Sequence, residues 1–182
     1  MPLTFTFSFD IEKASTACLY ILKKLGVTDF HKLFKILYFA DQAHLAKYGR
    51  PISGDCYIAI KNGPVPSNLY DLLKALRPDS LVRSVITTNY FEVTNSFYVK
   101  PIAEPDIELL SETEIEELDD SISEHRFLNF SYLSEKAHAT AWQSAGIDNE
   151  MDFLAIANDA GATPELLEYI KLNMENQQIQ LV

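Results

Sequence analysis

The strongest hydrophobic pattern in the chain lies in residues 29–48, where apolar side chains recur with the 3.6-residue period of an α-helix. They cover more than one stripe of the helix surface, which is typical of a central helix packed on several sides. Asp41 and His44 fall inside this apolar arc, where an ionisable side chain is costly unless it finds a partner. The main polar edge of the helix consists of His31, Lys35 and Gln42.

Apolar periodicity and capping residues predict six further helices around the central one, which itself has Thr28 as its predicted N-cap. Ser111 and Glu114 form a capping box, and the helix that they open is predicted to turn its acids outward. A later helix, capped by Ser134, is predicted to carry His138 and Trp142 one turn apart. The six helices are predicted to start at or next to Asp10, Ser67, Ser111, Ser134, Asp152 and Thr163.

Two parts of the chain have the pattern of β-strands. Residues 3–9 alternate apolar and polar side chains, as a half-buried strand does. Residues 81–88 and 91–100 are rich in Val, Ile, Thr, Tyr and Phe and predict a hairpin that turns at Thr88 and Asn89. The fold class is therefore predicted to be mainly α (α+β), with a compact helical domain around a buried central helix and a small antiparallel β-hairpin.

The length of 182 residues suits a single domain with a sizeable core. We expect that core at about residues 10–145 and a C-terminal helical extension at 150–176. No apolar run approaches the roughly 20 residues that span a bilayer, and the N-terminus lacks the pattern of a signal peptide. With only two cysteines there is no disulfide framework. These features predict a cytoplasmic protein.

The net charge of −11 is concentrated between Glu104 and Glu124, where ten acids occur and no Lys or Arg. Such a surface repels nucleic acid, whose binding depends on clustered Lys and Arg. It would steer a basic protein partner towards itself, although a helix face that only keeps the protein in solution is the plainer interpretation. The predicted acidic face consists of Glu112, Glu114, Glu116, Glu117, Asp119 and Asp120.

Motifs for catalysis are weak in this sequence. The glycines form neither a P-loop nor a dinucleotide fingerprint, and no HExxH pair or nucleophile turn occurs. Glu135 and His138 have the spacing of a carboxylate-bridged metal site, but the second such pair is missing. We therefore expect no cofactor, no metal and no catalytic activity.

A group of polar residues nevertheless lies close to the predicted core. One interpretation is a buried hydrogen-bond network that holds the loop at Gly63 against the central helix. The other is an enzyme or small-ligand site that uses Asp41, His44, Lys61 and His138. The group consists of Lys35, Asp41, His44, Lys61, Tyr70 and His138.

Three blocks in the first half of the chain read KLFKILYFA at residues 32–40, YGRPI at 48–52 and GPVPSNLY at 63–70. In the second half, the matching residues are Leu133, Ser134, His138 and Trp142. Together they resemble the signature of the Panacea domain of SocA-like antitoxins over roughly residues 10–145. The chain departs from that signature at residues 60–62, Ile-Lys-Asn, where many members carry Trp-Lys-Tyr.

The resemblance implies a bacterial or phage-borne antitoxin that neutralises a toxin protein by direct contact. An adaptor that delivers its toxin to a protease is an alternative, because one family member acts in that way. The chain resembles the bare domain, without the separate DNA-binding domain that many relatives carry.

The implied partner is the cognate toxin, which would be basic if it docks on the acidic helix at 111–124. Neither nucleic acid nor a membrane is an expected partner. The surface at 63–70 is the second expected contact, and a homodimer is an open alternative. The residues expected at a partner-binding site or in a structural polar cluster are Lys35, Tyr38, Asp41, His44, Lys61, Gly63, Pro64, Tyr70, His138 and Trp142.

Overall fold

One long helix runs through the middle of the molecule and contacts most of the other elements. The structure is a computed structural model and describes residues 6–81 and 89–179. Within these residues, the helices are α1 (Ile11–Leu25), α2 (Phe30–Tyr48), α3 (Ser67–Ala75), α4 (Glu112–His125), α5 (Phe130–Ala137), α6 (Thr140–Ala145), α7 (Phe153–Asp159) and α8 (Pro164–Ile179). The strands are β1 (Thr28–Asp29), β2 (Tyr57–Ile60), β3 (Gly63–Pro66), β4 (Phe91–Thr94) and β5 (Tyr98–Pro101).

The central helix α2 separates two hydrophobic clusters that form the core. On one side, Leu33, Phe34 and Leu37 pack with α1, α3, α4 and the strands β4 and β5. On the other side, Tyr38 and Phe39 pack with β2 and with α5 to α8. The structure confirms the predicted fold class, a mainly helical molecule with a small antiparallel β element.

The predicted capping box at the start of α4 is present. The Glu114 amide donates to Ser111 Oγ at 3.3 Å, and the Ser111 amide donates to Glu114 Oε2 at 2.8 Å. These bonds satisfy two of the amide groups that the first turn of a helix leaves without a partner. The sequence therefore fixes where α4 begins.

Three other predicted caps are wrong, and one of them is Ser67, which is the first residue of α3 and has Pro66 at the N-cap position before it. Thr28 lies in β1, and Asp29 caps α2 by accepting a hydrogen bond from the Lys32 amide at 2.9 Å. Ser134 lies inside α5, whose N-cap is Asn129. Since Asp and Asn are at least as good N-caps as Thr and Ser, the nearby competitors were chemically equivalent candidates.

The β element differs from the prediction in position. Residues 57–66 form the hairpin β2–β3, in which Ile60 pairs with Gly63. The second sheet has the antiparallel order β1–β5–β4. Its hairpin turns at Asn95 and Ser96, which have φ of 48° and 62°, so that the predicted long strand at 91–100 is folded back on itself. The first predicted strand covers residues 81–88, of which 82–88 lie outside the described residues.

The predicted N-terminal strand is wrong for residues 6–9, which have no strand structure, while residues 3–5 lie outside the described part. Phe7 packs edge-on against Phe153, with ring centroids 5.0 Å apart. The apolar residues of this segment therefore serve as anchors on the core, and their alternation does not reflect pairing in a sheet.

Candidate partner-binding site

Lys35 lies beneath the β2–β3 hairpin. The helix pattern had predicted it on the polar edge of α2, exposed to solvent. Its side chain is fully buried, and Nζ donates to the Pro64 carbonyl at 2.8 Å. Burial lowers the pKa of Lys35 to about 7. Gly63 makes room for it, because at φ +100° a Cβ on Gly63 would lie 2.7 Å from Lys35 Cε. Lys35 therefore ties the central helix to β3.

Asp41 is buried in the middle of α2 and holds the segment that follows the helix. Its carboxylate accepts from the amides of Ile52 and Ser53 at 2.7 and 2.9 Å and from Tyr57 Oη at 2.7 Å. The Ser53 hydroxyl donates to it as well. Burial raises the pKa of Asp41 to about 6, against the lowering effect of these hydrogen bonds. Asp41 therefore binds residues 52–57. The interpretation from the sequence, in which Asp41 holds the loop at Gly63, is wrong.

His44 connects the same segment to α4. Its Nδ1 donates to the Arg50 carbonyl at 2.7 Å, and Nε2 lies 3.0 Å from Thr113 Oγ1. Burial lowers the pKa of His44, so that the ring is neutral and its Nε2 accepts from the threonine hydroxyl. His44 does not reach the Gly63 strand either, and its role is to join the end of α2 to the start of α4.

His138 and Trp142 are neighbours, but they do not share a helix as predicted. His138 ends α5 and Trp142 belongs to α6, and their rings stack with centroids 3.8 Å apart. Trp142 Nε1 donates to the Ile60 carbonyl at 3.0 Å, at the end of β2. Lys61 is exposed in the turn that follows. These residues support the outer end of the β2–β3 hairpin.

The ten predicted site residues therefore divide into separate groups. Within the described residues, no hydrogen bond links any two of Asp41, His44, Lys61 and His138, the residues of the alternative catalytic set. Tyr38 packs edge-on against Tyr57, with ring centroids 5.0 Å apart. Most of these side chains stabilise the scaffold, and Lys35 and Tyr70 line a surface groove.

The acidic face of α4 is only partly exposed. Glu114 and Glu117 are buried, although the sequence predicted that the acids of this helix point outward. Glu114 bonds Lys13 Nζ at 2.7 Å and also pairs with Arg50, while Glu117 bonds Lys47 Nζ at 2.6 Å. Burial alone would raise the pKa of Glu114, but hydrogen bonds from Lys13 and Ser111 lower it overall. Both buried acids thus hold α4 against α1 and α2.

The exposed acids of α4 form a narrower stripe. Glu112, Glu116 and Asp120 are exposed and follow one another at intervals of four residues, so that they lie on one side of the helix. None of the three pairs with a base within the described residues. Asp119 is partly exposed and bonds Lys24 Nζ at 2.6 Å and Tyr20 Oη at 2.9 Å. We call Glu112, Glu116 and Asp120 the acidic stripe.

A groove with aromatic walls opens near the start of α2, and its volume is about 250 Å³. Phe34 meets Tyr70 edge-on, with ring centroids 5.9 Å apart. His31 stacks on Phe130 at 3.9 Å. Burial and the nearby Lys35 charge lower the pKa of His31 to about 4, so that this ring is neutral at pH 7. We call this feature the aromatic groove, with walls formed mainly by Phe30, Phe34, Tyr70, Arg77, Phe97 and Phe130.

Large apolar side chains are exposed at the mouth of the groove and next to it. Phe97 is 59% exposed and Phe130 is 50% exposed, and both line the groove. Phe127, which is 86% exposed, lies in the short connection between α4 and α5, just before Phe130. Tyr132, on the first turn of α5, is also exposed, but it lines a different cavity, with Leu128 and Lys136. Clustered exposed aromatic residues are characteristic of protein-binding surfaces.

A larger cleft of about 410 Å³ lies between α2, α4 and α7. Four of its charged side chains form pairs, Lys47 with Glu117 and Lys136 with Glu124, and Asp159 accepts from the Ala141 amide at 2.6 Å, while Asp120 has no basic partner among the described residues. His125 stacks on Phe39 at 4.3 Å and contacts Lys136 Nζ at 2.6 Å. Because these groups satisfy one another, the cleft offers a ligand little that is unpaired.

Within residues 6–81 and 89–179, no helix is both long enough and apolar enough to cross a membrane. In the same residues, no three His, Cys, Asp or Glu side chains come together in a way that could hold a metal ion.

Comparison with protein families matches residues 33–143 to the antitoxin SocA-like, Panacea domain. The match includes all ten predicted site residues, the acidic stripe and most of the aromatic groove. No curated protein and no solved structure shows a significant match to the chain.

Proposed function

The chain belongs to the Panacea family of SocA-like antitoxins, and we propose that it neutralises a toxin protein by direct protein–protein binding, without catalysis of its own. The observation that carries the proposal is the set of exposed aromatic residues at the mouth of the aromatic groove. Exposing such rings to water is unfavourable in a monomer, whereas aromatic residues that become buried contribute most of the energy of many protein interfaces.

The acidic stripe supports a second, electrostatic contribution from a basic toxin. Its three carboxylates are exposed and have no basic partner in the described residues. Exposed charges of this kind mainly accelerate association and make it depend on salt, and they add little to the final affinity.

The proposal is tested by a titration of the toxin encoded next to this chain. Direct binding predicts that toxin activity falls linearly and reaches its minimum near one antitoxin per toxin, with a complex that co-purifies. An enzyme that modifies the toxin would act at far lower ratios, and neutralisation without a stable complex would contradict direct binding.

The protease-adaptor alternative predicts a different readout in cells. Delivery to a protease shortens the lifetime of the toxin and fails in a strain without that protease. Binding alone leaves the toxin level unchanged while growth recovers. Measuring toxin half-life beside growth therefore separates the two mechanisms.

The acidic stripe is tested by neutralising its charges with Glu112→Gln, Glu116→Gln and Asp120→Asn in one variant. We expect association to slow about 10-fold at low salt and its salt dependence to become weaker. A matched variant that neutralises three exposed acids elsewhere, Glu12, Glu165 and Glu168, should retain the wild-type rate. If the two variants slow association equally, the stripe acts only through the net charge of the protein and is not a specific contact.

A further inference from the structure

We propose that the aromatic groove binds an anchor segment of the toxin in which an apolar or aromatic side chain lies next to a carboxylate. This inference rests on the proposed antitoxin function and adds the chemistry that the partner presents. The acidic stripe and the groove would then contact different parts of the toxin, a basic surface and an acidic anchor.

The size of the groove favours a single anchor. Its volume of about 250 Å³ is below the range of roughly 300–1,000 Å³ that is usual for pockets that enclose a whole small-molecule ligand. One large side chain and the group beside it fit such a space. The exposed rings of Phe97 and Phe130 at its mouth add an open apolar surface that a protein segment can cover.

Arg77 provides the group that would recognise a carboxylate. Its guanidinium lies over the rings of Phe30 and Phe97, at 5.5 and 5.0 Å from their centroids. Its buried Nε has no hydrogen-bond partner in the described residues, and no carboxylate of those residues pairs with it. A guanidinium that stacks on rings keeps the N–H groups along its edge free for bidentate binding of a carboxylate.

Arg77 is the main charge that this groove offers to a partner. Lys35 also lines the groove, but it is fully buried, bonds the Pro64 carbonyl and has its pKa lowered by burial to about 7, so that it adds little charge. Bases such as Lys47 and Arg50 pair with carboxylates of the described residues, whereas Arg77 does not. In a chain with a net charge of −11, such an arginine at an apolar groove is complementary to an anionic partner.

A second copy of the chain is a poorer occupant. It does expose an apolar side chain beside a carboxylate, Ile107 next to Glu108, but the net charge of −11 on each copy opposes contact between two copies. A toxin with a basic surface is free of that repulsion. We therefore assign the groove to the toxin and treat a second copy or a free small molecule as outcomes of the test.

The test compares toxin binding by Arg77→Gln and Phe130→Ala with binding by Lys171→Gln and Leu172→Ala. The control pair makes a matching loss of charge and a loss of an exposed apolar side chain on α8, away from the groove. We expect each groove variant to weaken affinity at least 10-fold and the controls to change it less than 2-fold. Unfolding midpoints establish that all four variants fold.

A probe experiment isolates the carboxylate. N-acetyl-phenylalanine and its uncharged amide are titrated against the labelled protein by NMR. The acid should shift the signals of Phe97 and Phe130 and bind several-fold more tightly than the amide, and Arg77→Gln should abolish that difference. Equal binding of the two probes, or shifts only outside the groove, would overturn the proposal.

The outcomes separate this proposal from the proposed function. If the toxin binds wild type and both groove variants equally, the groove assignment is wrong and the antitoxin function stands. If the toxin does not bind at all, direct binding is wrong. A groove that binds the acid probe while toxin affinity is unaffected is a site for free carboxylates, and variants that change self-association alone assign it to a second copy. Either result overturns the assignment to the toxin.

Discussion

Replacing Asp41 by leucine is expected to destabilise the fold, because Asp41 is the shared acceptor for four donors in the segment after α2. Two of these are backbone amides, of Ile52 and Ser53, and two are hydroxyls, of Ser53 and Tyr57. Leucine removes the acceptor and leaves the two amides buried without a partner. The loop between α2 and β2 then loses its main attachment to the central helix.

The magnitude follows from two opposing effects. A buried donor without an acceptor costs roughly 1–3 kcal/mol, and four donors are affected, although the hydroxyls can rotate towards other acceptors. Against this, the carboxylate is itself desolvated, with its pKa raised from 3.8 to about 6, which corresponds to about 3 kcal/mol at neutral pH that leucine does not carry. We expect a net loss of about 2–4 kcal/mol in the free energy of unfolding at pH 7.

Asp41→Asn is the matched variant, because its side-chain oxygen still accepts from the amides and it carries no charge. It should lie within about 1 kcal/mol of wild type at pH 7. Urea unfolding followed by circular dichroism measures all three proteins. If Asp41→Leu is as stable as wild type, the hydrogen bonds of Asp41 do not hold the loop and this reasoning is refuted.

The pH dependence gives an independent check of the buried carboxylate. Because the folded pKa of Asp41 is raised, the native state holds this proton more tightly than the unfolded chain between pH 3.8 and about 6. Its contribution to stability is therefore present at low pH and lost as the pH rises through 6. The stability of wild type relative to either variant should fall by about 2 kcal/mol between pH 4.5 and pH 7.

Two further predictions concern the scaffold. Gly63→Ala should destabilise by about 2–3 kcal/mol in urea unfolding, because its Cβ would collide with Lys35 at a φ of +100°. Gly161→Ala, with φ +83° and open space around it, should cost only about 1 kcal/mol, and equal costs would show that the collision is relieved. Glu114→Gln should destabilise the fold by about 1–2 kcal/mol, because Lys13 and Arg50 lose their buried partner. Glu116→Gln, at an exposed position, should change the free energy of unfolding by less than about 0.5 kcal/mol. Because the pKa of Glu114 is lowered, this difference should shrink as the pH falls below 4.5.

The sequence was sufficient for the features that depend on local patterns. The apolar surface of residues 29–48 predicted a helix packed on several sides, and the capping box at Ser111 predicted the start of α4. It was also correct that Asp41 needs a partner. It could not identify that partner, because the donors come from a loop whose path depends on the rest of the fold.

Some misplaced residues carried a readable signal. Glu114 and Glu117 follow the same helical spacing as the buried Leu118, Ser121 and Ile122, which places them on the inward face of α4. Their charge suggested an exposed position, and the bases that pair with them are distant in the sequence. Charge outweighed periodicity in the prediction, and periodicity was the better guide.

The aromatic groove carried no such signal. Arg77 lies just after the end of α3, Phe97 follows a hairpin turn and Phe130 begins α5. No short-range sequence pattern therefore links these three residues. Lys35 was predicted at the polar edge because the helix pattern does not include the hairpin that covers it. Sites assembled from distant elements require the tertiary structure, even when each element is predicted correctly.

The central claim, that a toxin contacts the aromatic groove, is tested most directly by hydrogen–deuterium exchange on the antitoxin alone and in its complex with the toxin. We expect slower exchange in the complex at the start of α2, at the β4–β5 turn and at the start of α5, the three elements that carry Phe30, Phe97 and Phe130. Slower exchange that is confined to α8, with these three elements unchanged, would contradict the account.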